Sequence, residues 1–167
     1  MALFVTGFKT TFLYMYHIVL FIHSWIRWII LLLSVIVIIK SFIGWKQKLD
    51  YKKSDNKLSI ILVSLYDVQL LLGLLLYFVL SPITRSALMD FGKAMHNPGL
   101  RFWAVEHIFV MTLAIIVAHL GRSFTKKAQE RRAKFRIQGV YFLLAFILVI
   151  SRIPWHDSVR LFRGITH

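Results

Sequence analysis

Four long apolar blocks separated by short polar stretches constrain this chain more than any single motif does. A helix needs roughly 20 apolar residues to cross about 30 Å of hydrocarbon. Blocks of that size lie within residues 12–43 and near 58–80, 102–120 and 137–153. The expected class is all-α: an integral membrane four-helix up-down bundle forming a single transmembrane domain over 1–167, since short connections favour antiparallel neighbours. The hydrophobic content of 58% agrees, because a soluble globule is about half apolar.

The first block is 32 residues long, roughly 48 Å as a helix, which exceeds the bilayer. Lys40 is expected to snorkel to one surface, which puts the first crossing near 21–40. Residues 1–14 carry one lysine and no small-residue cleavage site, so they read as a possible extension ahead of Met15 rather than a cleaved leader.

A formal charge of +14 raises the question of nucleic acid. The basic residues are concentrated in two short connections, however: five lysines in 45–57 and seven Lys or Arg in 121–136. The 81–100 connection holds only Arg85 and Lys93. The positive-inside rule explains that distribution, with both basic loops cytoplasmic and both termini outside, and no nucleic-acid partner is expected. The 81–100 loop, with its SP and NPG turns, reads as an external excursion with one short helical turn. The chain has no cysteine, which excludes disulfides, zinc–thiolate sites and thiol catalysis.

This orientation gives each polar residue a depth. His23 lies roughly 5 Å and His107 roughly 9 Å inside the outer surface, on different helices. Arg27 shares a face with His23 at i+4. Arg101, Arg152 and His156 gather at the outer ends of spans three and four. Asp67 falls near the midplane of span two with Gln69 close by, and an ionisable residue there should face protein or water. His119 is about 18 Å along the helix from His107 and about 120° around it, too far for one small molecule to bridge.

A bis-histidine haem fits these residues. Haem iron takes two axial imidazoles, and facing helices can supply them. The stripe His107, Met111, Ala114, Ala118 and the gap at Gly73 would leave room for a flat macrocycle. Arg27, Arg101 and Arg152 would meet its propionates, and Glu106 would pair with an arginine. The competing reading makes the histidines interhelical hydrogen-bonding groups, with Asp67 and Gln69 a polar clasp. His17 reads as interfacial, His96 and His167 as solvated, and the five tryptophans as interface anchors. No Gly-rich phosphate loop and no HExxH zinc motif is present.

The segments HSWIRW (23–28), DVQLLLGLLLYF (67–78), RFWAVEHIFVMTLAIIVAHLGRS (101–123) and SRIPWH (151–156) resemble a family of small bacterial integral membrane proteins labelled cytochrome b-like. The likeness runs from Met15 to His156. The four-helix layout is also similar to the membrane cytochrome b561 group, which carries haem between helices. The resemblance implies haem b and electron transfer in the bacterial inner membrane. It points to His23 and His107 as iron ligands with Arg27 as an associated cation, and His17 and His119 also fall on its pattern. No inner histidine pair is evident, so one haem in the outer half is expected rather than two. Membrane lipid, a quinone or a larger respiratory complex would be the partners. Two rival readings are a cofactor-free accessory subunit of a larger membrane complex and a small proton-linked transporter component using Asp67. Whether the chain is an enzyme stays open at this stage.

Overall fold

The computed structural model describes the backbone of residues 2–155 and 157–164, and the side chains of 10–155, 157 and 159–164. Among these residues every regular element is helical. In chain order they are α1 (Ala2–Lys46), α2 (Lys53–Leu75) ending in a π turn (Leu76–Leu80), α3 (Pro82–Met89), α4 (Phe91–His96), α5 (Pro98–Arg101), a second π turn (Phe102–Glu106), α6 (His107–Lys127), α7 (Arg131–Ser151) and α8 (Ser158–Leu161). Four stretches are long and apolar enough to cross a membrane: Thr10–Lys46, Lys53–Leu80, Pro98–Lys127 and Arg131–Ser151. Their most exposed side chains include Leu32, Leu71, Phe78 and Phe109, an apolar surface compatible with contact with lipid.

The helices extend beyond the apolar blocks for local reasons. Helix α2 begins at Lys53 because the Asp55 carboxylate reaches back to the Lys52 backbone N–H at 2.9 Å, half of a capping box. Helix α7 starts at Arg131 because the run RRAKFR consists mostly of good helix formers. It stops at Ser151, three residues before Pro154, which disfavours helix in the residue ahead of it. The 81–100 connection forms three short helices rather than one turn. Ser81, Asp90 and Asn97 each cap one of them by accepting a backbone N–H.

The chain divides into two compact units. The first comprises the chain up to Arg27, Gln69–Ile108 and the segment from Pro154 onward; the second comprises Trp28–Val68 and Phe109–Ile153. In the second unit, contacts close a ring of four helices. Ser34 Oγ and Tyr66 Oη lie 3.4 Å apart, and Lys40 pairs with the buried Asp55 at 2.9 Å, joining α1 to α2. A Cβ on Gly44 would come within 2.6 Å of the Phe135 ring, so α1 meets α7 at a glycine. Gly121 of α6 lies directly against Tyr141 of α7. Asp67 and His119 join α2 to α6. Small residues at such crossings let backbones approach and add dispersion contacts, which is what holds helices together where lipid removes the hydrophobic driving force.

A buried relay of hydrogen bonds finishes that unit near the basic loops. The Tyr51 hydroxyl donates to Gln138 Oε1 at 2.6 Å, Gln138 Nε2 to Ser41 Oγ at 2.8 Å, and Ser41 Oγ to the Val37 carbonyl at 2.7 Å. Burial pushes the Tyr51 phenol above its ordinary value, so it remains a donor at neutral pH.

In the first unit, Tyr16, Leu76 and Leu80 form one apolar cluster and Ala87, Ala94 and Ala104 another. A π turn leaves a carbonyl without its usual i+4 donor, and side chains fill both openings here. The Tyr77 hydroxyl donates to the Ala104 carbonyl at 2.7 Å, and Thr84 Oγ1 donates to the Tyr77 carbonyl at 2.8 Å.

Candidate functional site

His23, Arg27, Gln69, Gly73, Arg101, Glu106, His107 and His17 all belong to the first unit. His23 is half-buried on α1, and its ring fills the space that a side chain at position 73 would take: a Cβ on Gly73 would stand 3.3 Å from His23 Cε1. The ring's Nδ1 is shielded and makes no hydrogen bond among the described residues. Gln69 Nε2 donates to the His23 backbone carbonyl at 2.9 Å, while Gln69 Oε1 is likewise shielded and unpartnered. A shielded polar atom without a partner is costly, and such atoms in one neighbourhood point to a missing group or a small rearrangement.

His107 begins α6 immediately after the second π turn. Its ring packs at 5.5 Å from the Trp103 ring centroid and 5.8 Å from that of Phe102. His107 shares its compact unit with His23 and Arg27. The structure therefore gathers the two expected ligands and one expected cation in a single unit.

The arginines are more committed than the sequence suggested. Arg27 is buried and donates to the Arg160 and Leu161 carbonyls at 3.1 and 2.9 Å, holding the end of α8. Arg101 pairs with Glu106 at 2.8 Å and donates to the Met95 carbonyl at 3.3 Å. Arg152 belongs to the second unit, at the end of α7, where it donates to the Ser151 carbonyl at 3.3 Å. Ala114 and Ala118 also belong to that unit and are fully buried, so their stripe serves helix packing there.

The tail after Pro154 is the part of this neighbourhood that sequence reasoning missed. Trp25 Nε1 donates to the Arg163 carbonyl at 3.1 Å. The buried Arg163 guanidinium lies 2.6 Å from His17 Nδ1, and Arg160 stacks 4.3 Å above the Trp103 ring. Arginine can only donate, so His17 Nδ1 accepts and the ring proton sits on Nε2. In that state His17 has no lone pair left for a metal. The available signal was the pairing of Asp157 with Arg160, an N-cap acid followed three residues on by a cation; the two pair at 2.8 Å. His96 is exposed, and His156 and His167 lie outside the described residues.

Asp67 and Gln69 each tie α2 to a different helix. Gln69 turns to α1, whereas Asp67 Oδ1 lies 2.7 Å from His119 Nε2 in the second unit. Among the described residues no group of three or more His, Cys, Asp or Glu is positioned for a metal ion. Haem asks for less, because its macrocycle supplies the remaining iron ligands. No protein-family model matches this chain, and neither a curated protein nor a solved structure does.

Proposed function

We propose that the protein is a haem b-binding membrane protein of the cytochrome b-like kind, working in respiratory-type electron transfer, with His23 and His107 as the residues that would hold the iron. The observation that carries this reading is the shielded, unpartnered His23 Nδ1 on a ring seated against Gly73, in the same compact unit as His107. When bound, haem supplies a one-electron couple at its iron.

The chain's own residues would orient and tune that group. A histidine that held the iron would do so through one ring nitrogen, and the N–H on its other nitrogen would need an acceptor. Gln69 reaches the backbone of His23 through Nε2 and carries a shielded Oε1 without a hydrogen bond, so it is the polar side chain of α2 that would tune the His23 side of the site. Arg27 keeps positive charge near the same ring while anchoring the tail, which suits anionic propionates. The site would sit in the outer half of an up-down bundle in the bacterial inner membrane, with both termini outside and a quinol or membrane complex as electron partner.

Reduced-minus-oxidised absorption of the full-length protein, purified from haem-replete cells, tests the reading. The expected result is a Soret and α-band pair that His23→Ala and His107→Ala each abolish. A colourless, folded protein overturns it and favours the accessory-subunit alternative. Gln69→Leu should leave the haem bound but shift its midpoint potential.

A further inference from the structure

The Asp67–His119 pair lies on the outside of the second unit. The two side chains are 47% and 50% exposed, yet both belong to stretches apolar enough to span the membrane. Twelve residues of α2, about 18 Å of helical rise, separate Asp67 from Asp55, whose partner Lys40 marks the level of the surface. Asp67 therefore lies well inside the apolar stretch of α2, while His119 is one turn from Arg122 on α6; the exposed residues around the pair are Ile60, Ser64, Val68 and Leu71 on α2 and Leu113, Ile116 and Leu120 on α6. Ionisable groups at that depth almost always face protein or water rather than lipid.

We infer that this face is where two copies of the chain associate within the membrane, with the Asp67–His119 pairs meeting across a twofold axis along the membrane normal. The pair uses one carboxylate oxygen and one ring nitrogen internally, leaving one of each. A second copy inserted in the same orientation presents the reciprocal set, so the remaining ring N–H of each copy meets the remaining carboxylate oxygen of the other. Twofold symmetry makes that match automatic, whereas an unrelated helix would need its own donor and acceptor at the same depth. Ser64 lies one turn from the pair and is small enough to let the helices approach. The inference depends on the membrane reading and not on haem.

Because the chain has no cysteine, single cysteines report this contact cleanly. Ile116→Cys, placed on the face, should form an oxidised dimer in lipid vesicles, and Ile147→Cys on α7 should not. Fluorescence energy transfer between labelled full-length chains in vesicles should show dimers. The double variant Asp67→Leu/His119→Leu should weaken them more than tenfold while helical circular dichroism is unchanged, because both members of the pair leave together. Monomers in vesicles, dimers indifferent to the double variant, or crosslinking through Ile147→Cys alone would each overturn the proposal. So would crosslinking of Ile116→Cys in native membranes to another polypeptide and never to a second copy.

Discussion

Single positions decide how closely these helices approach. Gly121 lies so near Tyr141 that an added Cβ would overlap Tyr141 Cβ, which is fixed to the backbone and cannot swing aside. Gly121→Ala should therefore destabilise the protein by about 1–3 kcal/mol, the usual cost of forcing extra volume into a packed contact. Denaturant titration of the purified protein, followed by helical circular dichroism, would measure it; an unchanged midpoint would show that α6 and α7 can separate freely. Gly73 differs, because its neighbour is a single imidazole edge at 3.3 Å that can shift. A substitution there should disturb the His23 ring more than the packing of the helices. Asp67 was legible in the sequence as a costly residue in need of a partner. The partner itself was not, because which residue of α6 reaches Asp67 depends on the stagger and rotation of the two helices.

Element boundaries follow rules of capping and turn geometry. Helix α1 ends with Lys48 at φ 55°, and the Leu49 N–H returns to the Gly44 carbonyl at 3.0 Å, a Schellman-type termination. Lysine carries a steric penalty in that left-handed region that glycine lacks. Lys48→Gly should accordingly raise stability, by about 0.5–1 kcal/mol after the extra freedom of the unfolded chain is offset. The same titration checks it, and a loss would mean that the lysine side chain makes a contact outweighing its backbone strain. The π turns were invisible to apolar periodicity, since they insert one residue per turn and betray themselves only by their carbonyl partners, Tyr77 and Thr84. The tail was invisible for a related reason: VRLF has no helical period long enough to register. Its place depends on Trp25 and Arg27, more than 130 residues away along the chain.

At the scale of the whole molecule, the proposed orientation rests on the distribution of lysine and arginine. Ser86→Cys in the 81–100 connection and Gln129→Cys between α6 and α7 are both exposed positions. In intact cells a membrane-impermeant thiol reagent should label Ser86→Cys and spare Gln129→Cys. The opposite pattern would reverse the topology and move His23 and His107 to the cytoplasmic half.

Four apolar helices long enough to span a membrane could be read from the residues alone, because hydrocarbon admits few other ways to satisfy a lone segment's backbone and because block length is a local property. The sequence also marked which polar residues needed an explanation. What each of them touches emerged from the folded chain: Arg27 the end of the tail, Arg163 the ring of His17, Asp67 the imidazole of His119, and His23 the gap at Gly73. Those pairings depend on helix stagger and rotation, which arise from glycine contacts and side-chain packing between distant segments. Hydropathy along the chain does not encode them.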